Sequence, residues 1–305
     1  MRIARPFMTI ALSAIAATTQ GCATTGEAGM TEDAAPAATS GPALWKVADD
    51  DTTIYLFGTV HALPGGMNWL SGPISNALAA SQTLVTEISS GAMADPANQA
   101  KFQTVAMLPE GQTLRGQLTD EQKATYEAAL ESLGMPVNAF DRVKPWFAAV
   151  TLGVLPLMKN GYAMENGVES ALESAAADDI EHDALETIDD QIAAFDGLPM
   201  ETQISYLVSV CEQIDDVIPV MDETVAKWSR GDADGLAKVI NEEVDDPDLA
   251  KALLYDRNSR WADWIDDRLD RPGTVFIAVG AGHLAGKGSV QEYLAKDGIT
   301  VTRVQ

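Results

Sequence analysis

Two apolar, strand-like runs, TIYLFGTVH at 53–61 and TVFIAVGAGH at 274–283, sit far apart in the chain. The stretch between them is dominated by apolar residues at helical rather than strand spacing. Isolated strands are not stable, since a sheet must bury at least one face against another layer. The pattern therefore predicts an α/β fold whose sheet is built from N-terminal and C-terminal strand segments, with a large helical insertion between them. At the front, ALWKVA and TIYLFGTVH are separated by DDDT, a run of turn-formers that predicts a hairpin. GPISNALAASQ then carries helical spacing, and TLVTEIS is a further strand-like run containing Glu87. This β-α-β start places Gly58, His61 and Glu87 at or near strand ends, where loops on a rigid base carry polar chemistry.

The middle of the chain reads as helices. Thr119 with Gln122 forms a capping-box start for TDEQKATYEAALESL, and Gly134 ends it. PWFAAVTLGVLPLMKNG is a mostly apolar helix that begins at Pro145 and is interrupted at Pro156. With Pro156 and Lys159 inside it, the run is too short for a membrane span and reads as a core helix. GVESALESAAADD and DDQIAAFDGLPMETQISYLVSVCEQI add amphipathic helices, with HDALETI a short strand between them. DPDLAKALLYDRNSRWADWIDDRLD is a long helical pattern before TVFIAVG, and SVQEYLAKDG and ITVTRV close the chain as helix and strand. Trp261 and Trp264 fall three apart on that long helix, as in core packing, and His182, among acids, reads as a surface histidine.

Charge narrows the function classes. The chain has 20 basic and 45 acidic residues, a net charge of -25. That excludes nucleic acid as a partner, because phosphate binding needs clustered Lys and Arg, while an acidic surface attracts cations. Residues 1–22 read as an export signal, with Arg2 and Arg5 ahead of an apolar segment too short to span a bilayer and small residues before Cys22. Lipid attachment at Cys22 is expected, although Thr19 stands where such a cleavage box prefers Leu. Residues 23–41 read as a flexible linker rich in Ala, Thr and Gly, and 42–305 as the folded domain. The expected location is the periplasmic face of the cell envelope, as an outer-membrane lipoprotein that meets the membrane through its lipid anchor only. Cys22 and Cys211 are the only two cysteines, so an acylated Cys22 leaves Cys211 as a buried thiol in the apolar pattern ISYLVSVCEQI.

Two strands end in the same way. FGTVH and VGAGH each place a histidine three residues after a glycine, and they account for two of the three histidines in the chain. With 24 glycines in 305 residues, a given histidine meets this condition by chance roughly one time in thirteen, so two matches carry weight. A glycine at a strand end lets the backbone turn sharply or approach a ligand closely. The histidine beyond it can then aim a neutral imidazole across the top of the sheet. Two imidazoles and a carboxylate make a ligand set for a divalent ion of the Zn, Mn, Co or Fe type.

Taken together and in order, LWKVADDDTTIYLFGTVHALP, TLVTEIS, LETIDDQIAAFDGLP, RNSRWADWI and PGTVFIAVGAGHLAGKGSV resemble the TraB/PrgY/GumN family over nearly all of 42–305. That family is similar to the TIKI metalloproteases and, more distantly, to the erythromycin-esterase and ChaN-like superfamily. The resemblance implies a metal-dependent hydrolase site on an α/β fold, with a peptidase-like activity. It assigns Gly58 and His61 to the first motif, Glu87 as the acid, and Gly280 and His283 to the second motif. Its LET matches Leu185, Glu186 and Thr187, and its RN matches Arg257 and Asn258.

On this reading His61 and His283 are metal ligands, and Glu87 is the third ligand or the general base on a metal-bound water. Glu186 takes whichever role Glu87 leaves, or is an exposed carboxylate capping the next helix. Arg257 stabilises developing negative charge or grips a substrate carboxylate, or else forms a salt bridge within the domain. The expected substrate is a peptide or small acyl compound. A noncatalytic envelope protein that sequesters a peptide, metal or haem-like ligand, or that supports polysaccharide export or signalling, is the alternative.

Overall fold

The computed structural model describes residues 41–240 and 246–305. The signal segment, Cys22 and nearly all of the linker lie outside the described residues. The hairpin forms where the turn-formers place it: strand β1 (Leu44–Ala48) returns as β2 (Thr52–Thr59). Asp49 Oδ1 accepts from the backbone N–H groups of Asp51 and Thr52 at 3.0 and 2.8 Å and so closes the turn with its own side chain. The other strands are β3 (Leu63–Pro64), β4 (Thr83–Thr86), β5 (Tyr162–Ala163), β6 (Glu181–Ala184), β7 (Gly273–Gly280) and β8 (Thr302–Arg303).

Among the described residues six strands form one sheet in the order β6-β4-β7-β2-β1-β8, and β3 pairs with β5 in a small separate ribbon. β2, β7, β4 and β6 run parallel; at one side β1 pairs antiparallel with β2, and β8 pairs antiparallel with β1 and so runs in the direction of the parallel set. The central strands β2 and β7 are nearly continuous apolar runs because both of their faces are covered. Leu44, Phe57, Leu84 and Phe276 point to one face, where the helical insertion packs. Val47, Ile54, Leu56, Val275 and Ile277 point to the other, against Trp261, Ile265 and Leu294 of the C-terminal helices. The product is a helix-sheet-helix sandwich with sheet strands from both ends of the chain, as the patterning predicts.

The insertion departs from expectation at one point. The helix Pro145–Lys159 is not interrupted at Pro156 but continues through it. An interior proline costs about 3 kcal/mol. Here Leu152, Gly153, Val154 and Leu157 are buried around it, and burying one such aliphatic side chain is worth roughly 1.5–3 kcal/mol, so packing outweighs the lost hydrogen bond. The Thr119–Gln122 capping box forms, and Gly134 takes φ +71° beyond the helix end. DDQIAAFDGLPMETQISYLVSVCEQI divides into helices Ile188–Asp196 and Met200–Glu212. Cys211 is buried. Among the described residues no helix is long and apolar enough to cross a membrane.

Candidate functional site

The parallel pairing of β2 with β7 brings the two Gly-x-x-His motifs side by side. Gly58 pairs with Val279 and Thr59 with Gly280 in the ladder, so both strands deliver their histidines from the same edge of the sheet. Glu87 follows directly on Thr86, which pairs with Ala278 of β7. Glu186 sits beside it, its N–H donating to Glu87 O at 2.9 Å. The carboxyl ends of four parallel strands thus supply the candidate residues, as is general for ligand sites on such sheets.

The glycines earn their places by close approach. A methyl group on Gly58 would stand 3.0 Å from Ala281 Cα. One on Gly280 would stand 3.1 Å from Glu87 Oε1, 3.5 Å from His283 Cδ2 and 3.7 Å from His61 Nε2. Gly280 is therefore the floor on which these three side chains converge. Its N–H also donates to Glu87 Oε1 at 2.7 Å.

His61 is buried and its Nδ1 lies 2.6 Å from Glu169 Oε1. A carboxylate only accepts hydrogen bonds, so Nδ1 carries the proton and Nε2 is left as the nitrogen facing Gly280 and Glu87. Burial by itself lowers the His61 pKa, but the carboxylates of Glu169 and Glu87 more than offset it and lift the value to about 8. Burial likewise opposes the charge on Glu169, and His61 keeps its pKa below the usual range.

Glu169 was not foreseen from sequence. It lies in the first turn of the helix Val168–Ala175, which docks through Val168 N–H to Val60 O at 3.1 Å. At Gly167, which caps that helix, a methyl group would stand 2.1 Å from His61 O. The glycine in ENGVES is thus the one local signal that the helix start packs tightly against something.

Glu87 is buried and fully engaged: beyond Gly280, its Oε2 accepts from Arg257 Nη2 at 2.7 Å and from Gln191 Nε2 at 3.3 Å. Burial raises its pKa, but Arg257 first, then His283 and His61, pull it down to about 2. It is an ionised anchor and a weak base.

Behind Glu87, Arg257 holds a second carboxylate. Its Nε and Nη2 donate to Glu186 at 2.8–3.0 Å. Trp261 Nε1 adds a bond to Glu186 Oε1 at 3.2 Å. Glu186 is buried, not an exposed helix cap; the capping box of the next helix is made by Thr187 and Asp190. Arg257 is the salt-bridge centre of the domain, and its guanidinium stands 4.8 Å from the Trp261 ring centroid. Trp261 packs in the core beside His283, while His182 is exposed.

His283 faces this network. Asn258 Nδ2 donates to Gly288 O at 2.7 Å, which turns Asn258 Oδ1 toward His283 Nδ1 at 2.5 Å. Nδ1 therefore carries the proton, and Nε2 accepts from Arg257 Nη1 at 3.2 Å. Burial, then the neighbouring Arg257 charge, depress the His283 pKa to about 3.

These contacts bear on the three-ligand metal set. His61 Nε2 and Glu87 Oε1 converge over Gly280, but His283 Nε2 is turned to a guanidinium N–H and lies 3.8 Å from Glu87 Oε1. Among the described residues no group of three or more His, Cys, Asp or Glu side chains is arranged to hold a metal ion. As arranged, the residues offer two donors toward one point and do not fit a three-ligand centre.

A cavity of about 450 Å³ opens beside His61, Glu87 and Glu169. Ile88, Met93 and Met164 give it apolar walls, and Ser90, Gln99 and Ser170 add hydrogen-bonding groups. A histidine held by one carboxylate, a second carboxylate anchored beside it and a partly apolar cleft are groups that can move a proton beside a bound ligand. Glu186 and His283 do not line the cavity; they support it from behind.

A family model described as the TraB/PrgY/gumN family matches residues 43–303. The uncharacterized protein YbaP of Escherichia coli (strain K12) is 26% identical over 206 residues, covering 62% of this chain and 70% of YbaP. YbaP of Shigella flexneri matches to the same extent. No solved structure matches.

Proposed function

The chain belongs to the TraB/PrgY/gumN family, and on that premise we propose that it is a hydrolase of peptide or other acyl-type bonds, acting in the cavity at His61 and Glu87. The observation that carries this reading is the 2.6 Å contact between His61 Nδ1 and Glu169, which leaves Nε2 as the reactive nitrogen beside the cavity. A histidine oriented by a carboxylate is the usual construction of a general base.

In this mechanism the deprotonated His61 Nε2 takes a proton from water as the water attacks the substrate carbonyl. Glu169 stabilises the imidazolium that forms, and the same proton then passes from Nε2 to the leaving group. The Glu87 carboxylate, fixed by Arg257 and Gly280, adds a second negative charge that favours the imidazolium. The apolar walls of Ile88, Met93 and Met164 give a bound substrate a less polar surrounding in which these interactions are stronger than in open water. No step requires His283, whose bonds hold Arg257 in place.

The test is hydrolysis of a broad peptide and ester panel by purified protein, run with a chelator and with added Mn, Co, Zn or Fe. Cleavage lost in His61→Ala is the expected result. Folded wild-type protein that cleaves nothing under any of these conditions supports the noncatalytic binder instead.

We place the domain at the periplasmic face of the cell envelope, delivered by residues 1–22 and anchored by lipid on Cys22. A fatty-acid analogue should label the wild type and miss Cys22→Ala; equal labelling of both overturns the anchor.

A further inference from the structure

The charges around the cavity do not balance. Glu87 is paired with Arg257, and Glu169 with His61. Glu173 also lines the cavity, one helical turn beyond Glu169 on the helix Val168–Ala175, so both carboxylates occupy the same helix face. Among the described residues the Glu173 carboxylate has no hydrogen-bond or ion-pair partner. It is half-buried, and no Lys or Arg lines the cavity.

We propose that the cavity selects a substrate that joins an apolar side chain to a cationic amine, with Glu173 as the specificity-determining carboxylate. The proposal rests on the hydrolase reading of the site. The apolar side chain packs on Ile88, Met93 and Met164, and the amine pairs with Glu173 at the half-buried wall. An ammonium-carboxylate bond next to apolar walls is stronger than one in open solvent. A substrate carboxylate or phosphate in the same place meets Glu173 with no Lys or Arg on the cavity wall to offset it, and the His61 imidazolium is already paired with Glu169, so such a group is disfavoured. The amine can be the free N terminus of a peptide or a lysine side chain, since both present the same ammonium group.

The experiment is binding, measured by fluorescence anisotropy, of short labelled peptides to the full-length protein. The peptides carry an apolar residue beside a variable position holding lysine, norleucine or glutamate, each with a free or acetylated N terminus. Backbone N-methylation keeps them from being cleaved. Peptides with an amine at either place should bind the wild type roughly tenfold more tightly than the acetylated norleucine peptide, and the acetylated glutamate peptide should be weakest. Which amine gives the gain identifies its source. Glu173→Gln should remove most of the preference, whereas Glu131→Gln, the same charge change on an exposed residue that does not line the cavity, should leave it intact. Equal binding of all peptides, no binding of any, or a preference unchanged in Glu173→Gln overturns the proposal. Selective binding with no cleavage of the unmethylated peptides removes the hydrolase reading and leaves the selectivity standing. Cleavage without selectivity does the reverse.

Discussion

His61 and Glu169 meet at 2.6 Å, Nδ1 to Oε1, across the junction between the end of β2 and the helix Val168–Ala175. The contact does two things at once. It fixes a proton on Nδ1 and leaves Nε2 on the side of Gly280 and Glu87, and it lifts the histidine pKa to about 8 against the opposing effect of burial.

A base with that pKa is mostly protonated at neutral pH. The rate of hydrolysis at low substrate should therefore rise with pH through a midpoint near 8. Glu169→Gln removes the carboxylate and leaves burial in force, so the midpoint should move down by a unit or more. NMR titration of the three histidines reads the same shift without a substrate. An unmoved His61 titration in Glu169→Gln would show that the pair does not set the base.

Stability should depend on pH in a direction fixed by three groups. His61 is raised from 6.5 to about 8, so its contribution is complete below pH 6.5 and is lost as pH rises through 8. Glu87 is lowered from 4.5 to about 2, so its contribution is present above pH 4.5 and is lost as pH falls toward 2. His283 is held neutral, lowered from 6.5 to about 3, and the unfolded chain takes up its proton first, so stability falls as pH drops from 6.5 toward 3. Urea midpoints across pH 3–8 should peak near 6.5 and fall most steeply below 4.5. A midpoint that stays flat from 6.5 down to 4.5 contradicts the buried neutral state of His283.

Much of this arrangement was legible in the sequence. The two Gly-x-x-His endings stood out because each glycine follows an apolar run, and the pairing of Gly58 with Val279 and Thr59 with Gly280 joins them in one site. The strand, hairpin and capping-box positions also followed from local chemistry. Glu169 did not, because it belongs to an ordinary amphipathic pattern and gains its role only when Gly167 lets that helix touch the His61 backbone. The strand order was equally hidden. β7 comes from the far end of the chain and inserts between β2 and β4, and no local signal encodes a neighbour that remote. Pro156 misled for a related reason: its cost is local, and the burial that offsets it is tertiary.

Arg257 neutralises two buried carboxylates through its planar fork. Lysine presents a single point charge and cannot reproduce these bonds. Breaking a buried pair from one side costs roughly 3–5 kcal/mol, so Arg257→Lys should lose a large part of that and Arg257→Ala all of it, measured by urea unfolding at neutral pH. A loss under about 1 kcal/mol for Arg257→Ala would mean that Glu87 and Glu186 do not depend on it.

The most direct test of the central claim is kcat/KM for wild type, His61→Ala, Glu87→Gln and the double variant, on whichever substrate the panel yields. The account predicts a loss of roughly a hundredfold or more for His61→Ala and a clear loss for Glu87→Gln. The double variant should be little worse than His61→Ala, because the two groups act through one base. Thermal unfolding and circular dichroism should show all three variants folded. Activity of folded His61→Ala equal to wild type contradicts the account outright.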